Sequence, residues 1–262
     1  MTTSVPILMY HEVSARPDAR YRKYTLTPQE LGRQLDWLRA REYSSVTMDD
    51  VLAAWRGERA LPARPVAITF DDGGRDCIEH AVPALATRGF TATFYIVAGV
   101  VGAPMRWLRE EKGLELQAAD WPALWAAEKL GMRCGAHSIT HPRLGSVDAA
   151  TCRDELARGR AMLEDGLGHA VTHLAYPFGS FSPEACTIAH ETGYTTACTT
   201  VEAIASARRD ELLALPRVPI LGTESFGEFT HRVRTAHRAG AMQRRLERVA
   251  QRFGYPRRPP RS

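Results

Sequence analysis

An α/β fold built on a parallel sheet or barrel is the architecture this sequence predicts, and three observations predict it. Strand-like apolar runs alternate with amphipathic stretches of helical period along most of the chain, the pattern of right-handed βαβ units. The length of 262 residues, 44% of them hydrophobic and 24% charged, suffices for one large domain around a single core. The residues with chemistry to share sit where predicted strands end, and parallel α/β folds gather their sites there.

The elements follow in order. Residues 5–10 are apolar and read as the first strand. Thr27, Pro28 and Glu30 open a helix: Thr27 is its N-cap, Pro28 stands at the first helical position, and Glu30 completes a capping box. Leu31, Leu35 and Leu38 share one face of that helix, which runs to about residue 41. A second short helix over 47–55 turns Met48, Val51, Leu52 and Trp55 inward. Residues 65–70 form the next strand, then a helix runs over 75–88 with Gly89 as its C-cap. A strand at 91–97 leads into an irregular excursion over 99–117. There follow a helix at 119–130, a strand at 131–136, a long helix at 148–166 and a strand at 172–176. A helix at 182–192, a strand at 194–199 and a last strand at 213–220 precede a helix that starts at Glu224. There is no internal repeat and no linker before the C-terminal tail.

Composition narrows the classes. No apolar run approaches the 18 residues of a membrane span. The first residues lack a basic region and a small-residue cleavage site, so the expected location is cytoplasmic. The five cysteines are odd in number and scattered, without a C-x-x-C pair, and read as reduced, mostly buried thiols. The net charge of +4 is uneven: residues 231–262 hold ten Arg and one acid, Glu247, a local +9 against −5 for the remainder. The expected division is therefore a folded α/β domain over 1–230 and a basic helix with a disordered end over 231–262. Such a tail suits an anionic lipid, a polyphosphate-linked substrate or an acidic partner, although a solvated helix with a frayed end explains it as simply. Lysine is confined to Lys23, Lys112 and Lys129, so the arginine richness is partly a habit of the chain. No basic surface interleaved with aromatics points to nucleic acid.

Two stretches carry the chemistry. Ile68-Thr69-Phe70-Asp71-Asp72-Gly73-Gly74 ends a strand on paired carboxylates, and His137-Ser138-Ile139-Thr140-His141-Pro142 follows another strand. Alone, the first reads as a turn and the second as two solvated histidines, although Pro142 and the β-branched Ile139 and Thr140 oppose a regular helix there. Together they supply one Asp and two His, an N₂O set suited to Zn²⁺ or a similar divalent ion such as Co²⁺, Ni²⁺ or Mn²⁺. Three protein ligands are the layout of a catalytic centre. Adjacent carboxylates cannot easily both reach one small ion, so one Asp is expected to bind metal and the other to act as a general base.

With Pro6-Ile7-Leu8-Met9-Tyr10-His11-Glu12-Val13 and Ala175-Tyr176-Pro177-Phe178-Gly179, these motifs resemble the polysaccharide deacetylase family, the NodB-homology domains of carbohydrate esterase family four, over roughly residues 5–222. The resemblance implies an irregular (β/α)₇ barrel and metal-dependent hydrolysis of an N-acyl, foremost N-acetyl, amide on a carbohydrate. By position it makes Asp71 the base and Asp72, His137 and His141 the metal ligands. It also places the Phe178 N–H in an oxyanion hole, beside Tyr176 and Pro177 as substrate contacts. Two pieces depart from the family pattern. Where many members carry Arg, two residues before the third motif's Pro, this chain has Ala175, and Arg217 is the expected substitute for orienting Asp71. The Leu-x-His that supplies the general acid is not recognisable at 213–222, and His11, at a strand end, is the expected replacement. Trp107 could stack on a sugar face, and Arg106 or Arg109 could meet a phosphate or uronate. Trp121 and Trp125 read as a packed helix face, and His173 as a mid-strand packing residue. Two other readings stand beside the deacetylase: an amidohydrolase of a non-sugar amide, formamide or cyclic imide on the same scaffold, and a non-catalytic glycan-binding module.

Overall fold

The computed structural model describes residues 4–237. Eight strands carry the fold: β1 (Ile7–Tyr10), β2 (Ser44–Val46), β3 (Pro65–Phe70), β4 (Thr93–Ile96), β5 (Arg133–Ala136), β6 (His173–Ala175), β7 (Thr196–Glu202) and β8 (Leu215–Pro219). Seven of them close a parallel ring in the order β1-β8-β7-β6-β5-β4-β3, with β3 pairing back onto β1. β2 stands outside the ring, against residues 65–67 of β3, and β4 takes the same edge further along at Thr69 and Phe70. This is the irregular (β/α)₇ barrel that the motifs imply.

The period of two along each strand sorts the core into layers. Leu8, Tyr10, Ile68, Phe70, Phe94, Ile96, Leu174 and Val218 point out to the helices and join the main apolar cluster. Ile7, Ala67, Tyr95, Ala175, Cys198 and Leu215 alternate with them and form a second, smaller cluster inside the ring. Asp71 lies four residues beyond Ala67, and Arg217 two beyond Leu215. The same alternation therefore aims both inward, one layer nearer the C-terminal rim.

The helices are α1 (Pro28–Ala40), α2 (Met48–Trp55), α3 (Arg75–Ala86), α4 (Arg106–Lys112), α5 (Trp121–Lys129), α6 (Ala149–Leu167), α7 (Pro183–Glu191) and α8 (Phe226–Thr235). The Thr27–Glu30 capping box opens α1 as expected, with Thr27 N–H donating to Glu30 Oε2 at 2.7 Å. The excursion over 99–117 is more ordered than its sequence suggests. It contains α4 and its own core, in which Tyr21, Val97, Met105, Trp107, Leu108 and Leu114 pack together. The strand β2 was not foreseen, because three residues with one buried position carry no readable period.

Two further expectations need correction. His173 does more than pack: its Nδ1 meets Thr196 Oγ1 and its Nε2 meets Asp49 Oδ1, each at 2.8 Å. That bridge ties β6 and β7 to α2 at the end of the barrel opposite the motifs. Trp125 is 45% exposed, not packed; its Nε1–H donates to Gly166 O instead. The expected division at residue 230 falls inside α8, whose Phe229 and Val233 join the main core, with Ala236 just beyond it. Arg232 is fully buried and bonded to Glu224 and Glu202 rather than solvated. The basic tail past residue 237 lies outside the described residues. Among those described, no helix is long and apolar enough to cross a membrane.

Candidate active site

Both motifs arrive at the C-terminal rim of the ring, one after β3 and one after β5. Asp72, His137 and His141 are buried there, with one potential ligand atom from each lying within 4.8 Å of the others. Asp72 Oδ1 is 3.3 Å from His141 Nε2 and 3.6 Å from His137 Nε2. His137 Nδ1 lies 2.7 Å from the Ala175 carbonyl. The carbonyl can only accept, so Nδ1 carries the proton and Nε2 offers its lone pair to the trio. Burial pushes the His137 imidazole down to about 4, and it is neutral, as a ligand needs to be. Burial opposes ionisation of Asp72, but His141, His11 and His137 outweigh it and hold the carboxyl well below the usual range. A buried set of one carboxylate and two imidazoles fits a divalent ion.

Asp71 faces a different partner. Arg217 grips it with a two-pronged bond, Nη1 to Oδ1 at 2.7 Å and Nη2 to Oδ2 at 2.6 Å. The guanidinium is fully buried and also donates to Thr69 Oγ1 and the Thr199 carbonyl. Burial would raise the Asp71 pKa, and Arg217, with His137 and His11, more than offsets it, so the carboxylate stays ionised. The substitute for the missing arginine is therefore in contact with the aspartate it was expected to orient.

The backbone around the trio is held in a costly shape. Of the six described non-glycine residues with positive φ, four belong to the motifs: Asp72, Ser138, His141 and Phe178. Each such residue carries a strain of order 1 kcal/mol that the surroundings must offset. For the histidine loop the offset is visible. Glu155 of α6 accepts from the N–H groups of Ile139 and Thr140 at 2.8 and 2.9 Å and from Thr140 Oγ1 at 2.6 Å. Ser138 Oγ accepts from His141 N–H, and the Ser138 and Ile139 carbonyls accept from Ala98 and Gly99. In the first motif Gly74 lies close against Glu12: a Cβ there would come 2.3 Å from Glu12 Oε2, so that carboxyl would have to move. Burial, aided by Asp76, pushes that buried Glu12 carboxyl up to about 8.

A cavity of about 460 Å³ opens above these residues, ordinary for a small-ligand site. Asp71, Asp72, His137, His141, His11, Trp107 and Phe178 line it, as do Tyr21, Tyr24, Lys23, Lys112 and Arg143. Trp107 is only 7% exposed, because one face of its indole stacks on His141 with centroids 4.5 Å apart. Phe178 meets the same imidazole edge-on at 4.6 Å. His11 packs on Tyr24, and its Nδ1 is buried without a hydrogen-bond partner.

Several residues sit elsewhere than the sequence reading put them. Tyr176 and Pro177 are buried beneath the rim and do not line the cavity; the Tyr176 hydroxyl donates to the Leu213 carbonyl at 3.0 Å. They brace Phe178, whose left-handed backbone turns the chain toward the site. Arg106 and Arg109 also lie outside the lining. Tyr21, unforeseen, donates its hydroxyl proton to Asp72 Oδ2 at 3.1 Å. Tyr21 reaches Asp72 across 51 residues with no local pattern to reveal it, and Glu155, on the buried face of α6, has no motif that ties it to the histidine loop.

The closed barrel, the buried Asp-His-His trio and the arginine-gripped second aspartate define a hydrolase of the metal-assisted α/β-barrel class. The polysaccharide deacetylase model matches residues 58–197, which include Asp71, Asp72, His137, His141 and Phe178. The chain belongs to the polysaccharide deacetylase family. YxkH of Bacillus subtilis (strain 168), which carries a provisional polysaccharide-deacetylase name, is 27% identical over 228 residues, covering 86% of this chain and 75% of the relative. The poly-β-1,6-N-acetyl-D-glucosamine N-deacetylase of Escherichia coli (strain K12) is 30% identical over 95 residues, 36% of this chain and 14% of the relative. Among solved structures, the deacetylase PplD of Streptococcus pyogenes in complex with acetate aligns with a TM-score of 0.75 at 24% identity, covering 89% of this chain and 98% of that one. IcaB of Ammonifex degensii aligns with a TM-score of 0.73 at 24% identity, covering 90% and 97%. At that identity these two structures speak for the fold.

Proposed function

We propose that the protein removes the acetyl group from an N-acetylated sugar, with Zn²⁺ as the ion held by Asp72, His137 and His141. One juxtaposition carries the reading: a buried N₂O trio beside an ionised aspartate, on the wall of a cavity rich in aromatic side chains. Aromatic walls suit the apolar faces of sugar rings. The N-acetyl-D-glucosamine deacetylase named among the relatives supports the same acyl group and sugar class.

The ion, when bound, polarises the acyl carbonyl and acidifies the attacking water. Asp71 takes the proton of that water, and its hold by Arg217 keeps it ionised and oriented for the task. The Phe178 N–H donates to the oxygen of the tetrahedral carbon. His11 protonates the sugar nitrogen as the C–N bond breaks, leaving acetate and a free amine. We also place the protein in a reducing compartment, consistent with five free thiols, four of them buried.

The direct test is acetate release from N-acetylglucosamine oligomers by protein stripped with a chelator and then reloaded. Release is expected only with the ion restored; release unchanged by stripping would sink the metal-dependent reading. Tyr21 provides a second check. Its hydroxyl engages the Asp72 oxygen remote from the imidazoles, so Tyr21→Phe is expected to weaken Zn²⁺ binding by about 10–100-fold, as loss of such orienting bonds does elsewhere. Competition with a chromogenic chelator measures this without reference to turnover. An affinity equal to the wild type would remove Tyr21 from the site.

A further inference from the structure

We propose, building on the deacetylase reading, that the substrate carries a phosphate-type anion next to its N-acetyl sugar, held at the cavity mouth by Lys23, Lys112 and Arg143. The first indication is where lysine is spent. Only three of the 34 basic residues are lysines, and two of those three line this one cavity. An ammonium group is a compact point charge well suited to phosphate.

The second indication is convergence. The three cations come from separate parts of the fold, and each rests on an aromatic side chain or helix that also packs against the catalytic residues. Lys23 lies over the Tyr24 ring at 5.0 Å, and Tyr24 packs on His11. The Arg143 guanidinium lies 4.0 Å from the Phe178 centroid, and Phe178 packs on His141. Lys112 closes the last turn of α4, whose Trp107 stacks on His141. None of the three makes an ion pair among the described residues, whereas Arg217 and Arg232 are fully engaged by carboxylates.

The third indication is the balance of charge. Four carboxylates share the lining. Asp71 is neutralised by Arg217, Asp72 belongs to the ion, and Glu202 lies 3.4 Å from Arg232, a cation it shares with Glu224 and Glu228, so it is only partly offset. Only Glu111, exposed beside Lys112, lacks a cationic partner among the described residues. The mouth is thus left with surplus positive charge, which the ion increases. Partly solvated cations of this kind give affinity that falls with salt.

The experiment compares N-acetylglucosamine 1-phosphate and a nucleoside-diphosphate-linked N-acetylglucosamine with neutral N-acetylglucosamine oligomers. The readout is the ratio of kcat/KM for each charged substrate over the neutral one. Lys23→Gln, Lys112→Gln and Arg143→Gln are each expected to lower that ratio about two- to fivefold, with the effect shrinking at high salt. Lys129→Gln, on α5 away from the cavity, is the control and keeps the wild-type ratio. Preference for the 1-phosphate places a single phosphate at the mouth, and preference for the diphosphate places a bridged one. A ratio that none of the three cavity variants alters overturns the proposal.

Calorimetric titration of the full, Zn²⁺-loaded chain with N-acetylglucosamine 1-phosphate separates this proposal from the deacetylase reading. If no sugar is deacetylated, binding weakened by Lys23→Gln and Lys112→Gln still supports the anion site. Binding equal in wild type and variants would show the phosphate resting on the ion alone, and sinks it.

Discussion

Asp71→Asn is expected to reduce acetate release about 10²–10⁴-fold, the usual contribution of a positioned general base, while the protein still binds one Zn²⁺ per chain. The separation of these two outcomes follows from geometry. Asp72, His137 and His141 form the trio, whereas both oxygens of Asp71 are turned to Arg217. An amide at position 71 cannot take a proton from water at neutral pH, and it leaves the ligand set intact. Asp72→Asn or His141→Ala should do the reverse and abolish metal binding along with activity.

The substitution also carries a structural cost that the measurement has to separate. One oxygen of the new amide can still accept from Arg217, but its NH₂ opposes a guanidinium N–H, leaving a fully buried cation partly uncompensated. Rates are therefore compared per folded, metal-loaded molecule, using circular dichroism and bound Zn²⁺ to count them. Wild-type rates on that basis would exclude Asp71 as the base.

How much of this site could be read from the chain depends on how local the information is. Paired carboxylates after one apolar strand and two histidines after another are contiguous patterns, and parallel topology brings strand ends to one rim whatever the loops do. The Asp-His-His trio, the barrel and the contact between Arg217 and Asp71 follow from that. Tyr176 and Pro177 were misplaced because motif neighbours do not share a direction: Phe178 adopts φ 58° and reverses the chain, leaving Tyr176 in the core. Tyr21 and Glu12 act from short irregular segments where neither a period of two nor one of 3.6 exists to place a side chain, while Glu155 sits on the buried face of the regular α6, where a period places it inside but does not name the loop N–H groups it accepts from. The helix α4 is similar. Its seven residues have no side-chain N-cap, end on the left-handed Gly113, and are held by packing of Trp107 and Leu108 in a local core.

Arg217→Met should be the most damaging single change to stability, costing about 3–5 kcal/mol, or a fall in Tm of roughly 6–20 °C for a domain of this size. Arg217 is fully buried, and its removal strands Asp71, also buried, without a counter-charge. The pH dependence distinguishes this from a simple packing loss. In the wild type the Asp71 pKa is depressed, so its contribution to stability is present above the unfolded carboxyl value of about 3.9 and disappears as pH falls through the folded value. Without Arg217, burial is the main influence left, and the folded pKa moves above the unfolded one. Stability of the variant then falls as pH rises between those two values. The gap between wild type and Arg217→Met should accordingly be small in acid and widen toward neutrality, and the acid limb of the rate profile should move to higher pH. Arg217→Lys keeps the charge but not the fork and should fall between them. Adding Asp71→Asn to Arg217→Met removes the stranded carboxylate, so the double variant is expected to be more stable at neutral pH than Arg217→Met alone, and to lose the pH dependence. Equal destabilisation at pH 4 and pH 8, or a double variant no more stable than the single one, would mean that Arg217 contributes packing rather than charge.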